Sequence, residues 1–303
     1  MIRLAATALL MLVACSHQPD SLPVATLDSP ATRAIVIGPS TAATLATMGV
    51  VNQVVGVSDY CTDPAFVDHA RVGGQHDPSL ERIAALRPDL VLIQGTCPPL
   101  KEWCKKTNTP LCNFQTDSWN EWLDEINQLG NLFGVQKKAS LLRKQSVSKL
   151  AQVPATAPDN PRTLLVVGRR QGEASGLVVA GAASFLSELL LVAGGTNAVA
   201  DNERDYFDLN EEALLKIAPE VVLELLPPDE RTVELWRKAH PNVPAVRQGR
   251  IFAIYEPWAV EPGPMMPKTA TLFAELLDRR VITAPGPPTK TLTPPIGSKK
   301  EKK

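Results

Sequence analysis

The order of apolar and polar positions predicts alternating strands and helices from residue 34 onward. Short continuous apolar runs are typical of strands that are buried on both faces, and helical patterns separate them. This alternation favours an α/β protein with parallel sheets. The predicted strands fall into two groups, 34–38, 54–57, 90–93 and 111–114 in the first and 163–168, 177–179, 221–225 and 251–254 in the second.

The stretch between the two groups is helical. Apolar residues recur there at spacings of three and four, which predicts one long or broken helix over 118–153. We therefore expect two α/β lobes, at 33–117 and 154–281, joined by this helical segment, with a cleft between the lobes. Each lobe has room for a core of its own.

A short pattern occurs once in each lobe. Residues 81–91 and 212–222 both begin with a Glu that opens a short amphipathic helix, continue to a Pro, and place an acid before an apolar strand. Proline ends a helix because it clashes with the preceding turn, so it fixes the corner between helix and strand. The repeat supports two equivalent lobes.

The amino-terminal residues have the pattern of an export signal. Residues 1–14 place one cation, Arg3, before a short apolar run that ends at a small residue and Cys15. The tetrapeptide Leu12-Val13-Ala14-Cys15 resembles the bacterial lipobox, in which the cysteine is acylated. We therefore expect cleavage before Cys15, a linker at 15–32 and a lipid anchor.

We expect the Pro- and Lys-rich tail at 282–303 to be disordered.

Four cysteines remain after Cys15, and an even number in an exported protein favours disulfides. Among the three possible pairings we prefer Cys61 with Cys97 and Cys104 with Cys112. A zinc site is the competing interpretation, although no pair has the spacing of structural zinc ligands.

Composition narrows the class of partner. The 303 residues contain 31 Lys and Arg against 32 Asp and Glu, for a net charge of −1. A nearly neutral chain lacks general attraction for nucleic acid, so we expect no nucleic-acid partner.

Several motifs together resemble those of the periplasmic binding proteins that collect cobalamin, ferric siderophores and haem for ABC importers. The resemblance covers about residues 33 to 280 and implies two Rossmann-like lobes with parallel sheets, joined by one long interlobe helix, with little hinge motion. It is carried by segments 56–60, 72–74, 79–91, 190–197 and 262–264.

The resemblance implies roles for particular residues. Glu81 and Glu212 correspond to the residues that dock onto arginines of the membrane permease, with Glu211 as the neighbouring alternative. Tyr60 and Trp258 correspond to aromatic residues against the ligand. Loops that follow parallel strands line the cleft in such folds, which adds ligand-contact candidates at the ends of the first and third strands. Ser40 follows the first strand and Gln94 the third, and Trp258 also follows a strand of the second lobe. Gln75 is a candidate because it stands where cobalamin-binding relatives tend to carry an aromatic residue.

Departures from the family pattern bear on the ligand. Gln75 and Gln94 stand where cobalamin-binding relatives tend to carry aromatic residues, and the frequent Arg-Pro-Gly-Pro-Arg pattern is Glu261-Pro262-Gly263-Pro264-Met265 here. The two missing cations disfavour a strongly anionic ligand. We rank cobalamin slightly ahead of siderophores. We expect a monomeric, lipid-anchored protein of the periplasm or cell surface, with no cofactor of its own.

Two other classes of function remain open. A free-metal-binding protein of related architecture would need more ligands than the close pair His69 and His76 supplies, and haem ligation by Tyr60 or His76 rests on position alone. An exported enzyme is disfavoured, because the chain lacks a phosphate-binding glycine loop and a nucleophile elbow. We therefore expect a binding protein that is not an enzyme.

Overall fold

The structure is a computed structural model that describes residues 27–155, 157, 159–225 and 231–278. The predicted signal at 1–14, the anchor Cys15, most of the linker and the tail at 282–303 lie outside the described residues. Within the described part, no helix has both the length and the apolar character needed to cross a membrane.

The first lobe contains a parallel sheet of five strands in the order β3-β2-β1-β4-β5. Every neighbouring pair is parallel, as the continuous apolar runs predict. The strands are β1 (Ala34–Ile37), β2 (Val54–Val57), β3 (Ala70–Arg71), β4 (Leu90–Gln94) and β5 (Leu111–Phe114).

The second sheet is mixed, which corrects the expectation of a purely parallel one. Six strands form it, with β6, β10 and β11 parallel and β7 antiparallel to both β6 and β9. The connection 169–176 is shorter than the dozen or so residues that a parallel crossover needs, so β6 and β7 pair as a hairpin. The strands are β6 (Arg162–Gly168), β7 (Leu177–Ala180), β8 (Thr196–Asn197), β9 (Tyr206–Leu209), β10 (Val221–Glu224) and β11 (Ile251–Ala253).

Helices connect the strands and cover both sheets. They are α1 (Pro39–Thr47), α2 (Leu80–Ala85), α3 (Pro98–Thr107), α4 (Trp119–Leu132), α5 (Gln136–Ala151), α6 (Phe185–Val192), α7 (Glu211–Ile217), α8 (Thr232–Ala239), α9 (Pro244–Arg247) and α10 (Met266–Asp278).

The interlobe segment is two helices, α4 and α5, where one long helix was expected. Gly134 adopts a φ of 66°, which favours glycine, and the amide of Val135 donates to the carbonyl of Gly130 at 2.8 Å. These features end α4 and turn the chain back. A Cβ on Gly130 would lie only 2.6 Å from the Ala139 Cβ, so the missing side chain lets α5 pack closely on α4.

One apolar core extends through both lobes. It joins Val36 of the first sheet to Leu165 of the second by way of Ile126 on α4 and Leu142 on α5, and it continues to Phe273 on α10. The outer face of each sheet has a separate, smaller core. The lobes are therefore held together by buried apolar surface in addition to the connecting chain.

The repeat corners share a contact that the sequence did not predict. Asp89, just before β4, accepts hydrogen bonds from the backbone amides of Thr32 and Arg33, at 2.8 and 3.0 Å. Glu220, just before β10, accepts from the amide of Arg162 at 2.8 Å. Partial burial opposes ionisation of Asp89, but the hydrogen bonds from Thr32 and Arg33 hold its pKa below the usual value. Each acid thus fixes the start of the neighbouring strand in its own lobe.

The disulfide prediction is wrong, because the structure forms neither of the two expected bonds. Cys61 and Cys112 lie in the core shared by the lobes, whereas Cys97 and Cys104 lie in the core on the opposite face of the first sheet. Each expected pair would have to join thiols across that sheet. Burial raises the pKa of Cys104 to about 11.

Glu125 is a buried carboxyl group that joins α4 to α1. It accepts hydrogen bonds from the hydroxyls of Thr41, at 2.7 Å, and Thr116, at 2.6 Å. One turn earlier on α4, the Trp122 indole donates to the Thr44 hydroxyl at 3.0 Å. Burial raises the pKa of Glu125, although the hydrogen bonds from Thr116 and Thr41 oppose the rise.

Replacing Glu125 with Gln should change how stability depends on pH. The folded protein holds the Glu125 proton more tightly than the unfolded chain, so this stabilising effect is present below the ordinary pKa of 4.5 and is lost as pH rises through the raised value. Urea unfolding should therefore show the Glu125→Gln variant gaining free energy of unfolding, relative to the unchanged protein, from pH 4.5 toward neutrality.

The control is Asp124→Asn, which changes an exposed carboxylate on the same helix. Glu125→Gln should gain more free energy of unfolding over that pH range than Asp124→Asn does. An equal change in the two variants would contradict the prediction.

Candidate functional site

A cavity of about 290 Å³ lies between the lobes. Its first wall follows the carboxyl ends of β1 and β2, and its second wall follows β11, so it lies where open parallel sheets bind ligands. We call it the interlobe cavity. The lining residues are Pro39, Ser40, Ala43, Thr62, Asp63, Pro64, Trp258, Glu261, Pro262, Gly263, Pro264 and Met265.

Ser40 brings an unused hydroxyl to this cavity. The residue is 2% exposed, and its Oγ has no hydrogen-bond partner among the described residues. It lies at the start of α1, after Pro39. A Cβ on Gly263 would lie 3.6 Å from the Ser40 Oγ, so the hydroxyl faces the opposite lobe. Leaving a buried hydroxyl unbonded costs about 1–3 kcal/mol, which a ligand atom could recover.

Trp258 lies on the second wall, in a short 3-10 helix at Pro257–Val260. The indole is half-buried, and the Lys268 ammonium lies 4.4 Å from the ring centroid. A cation over the ring face restrains the indole. The Trp258 indole therefore presents an apolar surface to the cavity in a fixed position.

The charged side chains that line the cavity are two acids, one from each lobe. Asp63 accepts a hydrogen bond from the amide of Ala65 at 2.8 Å, which fixes one of its oxygens. Glu261 comes from the opposite wall, and burial raises the pKa of its carboxyl group. The cavity therefore offers hydrogen-bond acceptors from both sides.

Arg71 fixes the loop that forms much of the first wall. Its guanidinium donates to the carbonyls of Ser58 at 3.1 Å, Cys61 at 2.7 Å and Phe66 at 3.3 Å. This loop carries Asp63. Three bonds from one planar group hold the wall in shape before any ligand arrives.

A buried ion pair supports the corresponding edge of the second sheet. The Arg169 guanidinium donates to the Glu224 carboxylate at 2.9 Å, and the carboxylate also accepts from the Thr232 hydroxyl and the Trp236 indole. Glu224 is the last residue of β10. The network satisfies both buried charges with hydrogen bonds and fixes the ends of β6 and β10.

Two of the five expected ligand contacts, Ser40 and Trp258, line the interlobe cavity, and the other three do not. Tyr60 is 69% exposed, and its ring lies against Gly74. Gln75 donates to the backbone carbonyl of Gln94, whose own side chain lies over Gly38. Tyr60 and Gln75 follow strands of the first sheet and Gln94 ends β4, but the two amide side chains contact neighbouring loops.

Glu81 and Glu212 occupy matching places in the two lobes. Each lies in the first turn of a short helix, α2 or α7, and each is exposed. Ser79 and Asn210 cap these helices by accepting from backbone amides three residues on. Glu211 lies 3.9 Å from the His240 imidazole, whereas Glu212 has no bonded partner among the described residues. Glu212 is therefore the freer of the two adjacent acids.

The candidates for free-metal binding are not assembled into a site. His69 packs edge-on against Phe66, with ring centroids 5.0 Å apart, and its Nε2 lies 3.3 Å from the Val51 carbonyl. His76 is exposed. Throughout the ranges that the structure covers, no group of three or more His, Cys, Asp or Glu has the geometry to hold a metal ion.

Sequence reasoning missed the loop Thr62–Pro64, which supplies a quarter of the cavity lining. An available signal was Asp63 before Pro64, since Asp caps short helical turns and Pro favours their first position. Glu261 was noted only as a missing cation, and the structure places its carboxyl group in the cavity wall.

Comparison with known proteins agrees with this architecture. The family model described as "Periplasmic binding protein" matches residues 35–257. The substrate-binding lipoprotein YvrC of Bacillus subtilis is 24% identical over 237 residues, which cover 75% of this chain and 74% of YvrC. The haem uptake protein IsdE of Staphylococcus aureus is 28% identical over 164 residues, which cover 53% of this chain and only 55% of IsdE.

Solved structures share the fold. The periplasmic haem-binding protein BhuT, in complex with two haems, has a TM-score of 0.70 at 25% identity and covers 81% of this chain and 97% of its own. The vitamin B12 binding protein BtuF of Vibrio cholerae has a TM-score of 0.68 at 22% identity and covers 82% and 97%. The resemblance indicated by the sequence motifs is thereby confirmed, and with it the two-lobed α/β fold. The family model spans most of the chain, so the chain belongs to the periplasmic binding protein family.

Proposed function

We propose that the protein is a lipid-anchored, monomeric substrate-binding protein of the periplasm or cell surface that passes a metal chelate to an ABC importer. The ligand class is cobalamin, haem or a ferric siderophore. The observation that carries this proposal is the interlobe cavity, built from loops of both lobes at the carboxyl ends of their strands. A ligand seated there contacts both lobes at once.

The chemistry of the cavity supports binding without catalysis. A serine nucleophile needs a base within hydrogen-bond distance, and the Ser40 Oγ has no such partner in the described chain. Ser40, Trp258 and the apolar Pro262–Met265 wall are suited to shape recognition and a few directed hydrogen bonds.

The proposed anchor is Cys15. A charged and then apolar stretch precedes it, and it ends the lipobox-like Leu12-Val13-Ala14-Cys15. The relative YvrC is described as a lipoprotein. Acylation there would keep the protein at a membrane, close to the permease that it serves.

Docking onto the permease is assigned to Glu81 and Glu212. They are exposed acids in the first turns of α2 and α7, one in each lobe. Asp89 and Glu220, which follow these two helices, are each bonded to backbone amides at the start of a neighbouring strand. Two separated carboxylates can orient the protein over a pair of cations on the permease.

Two relatives support haem as one member of the proposed ligand class. IsdE is described as a haem uptake protein and BhuT as a haem-binding protein, and both bear on this chain through sequence similarity. A cavity of about 290 Å³ is at the lower end for small-molecule sites, so it would receive the edge of a large chelate while the rest lies in the open cleft.

The permease contact can be tested with the double variant Glu81→Ala with Glu212→Ala. We expect unchanged ligand affinity, because neither side chain lines the cavity, and at least about a tenfold loss of ligand uptake, since a charge-assisted contact is worth ~1.5–3 kcal/mol. Uptake is measured in cells that depend on this protein for the ligand.

The matched control is Glu102→Ala with Glu234→Ala, which removes one exposed helical glutamate from each lobe. It should transport normally. Normal uptake by the Glu81 and Glu212 variant would remove the docking role from both residues.

The ligand itself can be found by thermal shift of the purified full-length protein with haem, cyanocobalamin, cobinamide and ferric siderophores. A ligand at 100 times its dissociation constant should stabilise the fold by ~2.7 kcal/mol. Trp258→Ala should then weaken binding by about tenfold or more and abolish most ligand quenching of indole fluorescence.

Trp103→Ala is the control, because Trp103 is a half-buried indole on α3 that does not line the cavity. It should keep both the affinity and the quenching. Full affinity in Trp258→Ala would assign that indole to packing.

A further inference from the structure

The side chains that line the interlobe cavity include one buried hydroxyl and two acids. Ser40 offers a buried hydroxyl with no partner in the described chain, and the two lining side chains that ionise are Asp63 and Glu261, both acids. The acids come from opposite walls. A ligand group that enters between them meets acceptors on both sides.

The start of α1 opposes this acidic character only in part. Pro39, Ser40 and Ala43 bring the amino end of α1 to the cavity, and a helix amino terminus carries a partial positive charge of about one half. Pro39 also lacks one of the amides that would serve an anion. The negative charge of two carboxylates therefore exceeds the partial positive charge of the helix end.

Arg71 lies behind the first wall, where it donates to three backbone carbonyls, and it does not line the cavity. Lys268 is a cation that the structure fixes beside the second wall. Its ammonium lies over the Trp258 ring, 4.4 Å from the centroid, and its side chain is exposed and does not line the cavity. Solvent screens the charge of exposed Lys268 more than it screens the partly buried Glu261, which lines the cavity. The interior therefore favours a donor over an anion.

We propose that the interlobe cavity selects metal chelates by charge, binding those that present an uncharged or cationic hydrogen-bond donor to Ser40 and Glu261 and excluding those that present a carboxylate. This selection rests on the proposed function. Primary amides, ammonium groups and hydroxyls fit the cavity, as on amide-bearing corrinoids and neutral hydroxamate chelates. The propionates of haem and the anionic oxygens of catecholate chelates do not.

Both the binding of donor groups and the exclusion of carboxylates have a physical basis. An amide that donates to Glu261 can also accept from the Ser40 hydroxyl, which satisfies a buried group that otherwise has no partner. A carboxylate would gain the bond from Ser40 but would also meet two like charges in a partly desolvated space. Like-charge contact of this kind gives specificity by excluding the wrong partner.

The test compares haem with its propionamide derivative, which keeps the macrocycle and iron and removes only the two negative groups. Cyanocobalamin serves as a third probe. Affinities of the full-length protein and of the variants Glu261→Gln, Glu261→Arg and Lys268→Met are measured by calorimetry. We expect the unchanged protein to bind the propionamide at least about tenfold more tightly than haem, which corresponds to about 1.4 kcal/mol.

The variants separate Glu261 from its surroundings. Glu261→Gln should reduce the preference for the amide, Glu261→Arg should reverse it, and Lys268→Met should leave it in place. Tighter binding of haem by the unchanged protein, or haem affinity that depends on Lys268 and not on Glu261, would overturn the selection while leaving the proposed function intact. If no metal chelate binds at all, the proposed function fails and the selection fails with it.

Discussion

The shared apolar core is the constraint on which the rest of the molecule depends. The lobes meet through α4 and α5, whose buried faces join the inner surfaces of both sheets into one cluster. Separating the lobes would expose that surface, so burial opposes large rearrangement. The interlobe cavity exists because this core holds the ends of β1 and β11 at a fixed separation. Gly130 and Gly134 make the arrangement possible by allowing α5 to fold back closely on α4.

Charged side chains serve this frame mainly by fixing backbone. Asp89 and Glu220 bind amides at the starts of strands, and Arg71 binds three carbonyls in the loop of the first wall. Arg169 and Glu224 fix the corresponding edge of the second lobe. Arg169 and Glu224 neutralise each other, whereas Arg71 keeps its positive charge behind the first wall. Among the side chains that line the cavity, Asp63 and Glu261 carry the charge.

Much of the fold could be predicted from sequence, because continuous apolar runs and their spacing reflect burial directly. Strands such as β4 and β10 and the repeat corners at Pro88 and Pro219 were found in this way. The strand β7 was predicted, but its antiparallel direction was missed, because an apolar run carries no information on strand direction. The cysteines were misassigned because Leu111 and Cys112 point to opposite faces of β5, and the pairing argument counted residues without considering faces.

The site, like the fold, has features that the sequence predicts and features that it does not. Its location follows from topology, since the carboxyl ends of parallel strands meet at one edge, and Ser40 and Trp258 were found by that rule. Its composition depends on how loops fold, so Thr62 and Asp63 were missed, and Gln94 turned out to lie over Gly38. Loops can therefore change the charge of the cavity while the sheets keep its place. For that reason, membership of the family does not determine the ligand. One acid at position 261, in a frame shared with haem-binding and vitamin B12-binding proteins, is enough to alter which chelate the frame admits.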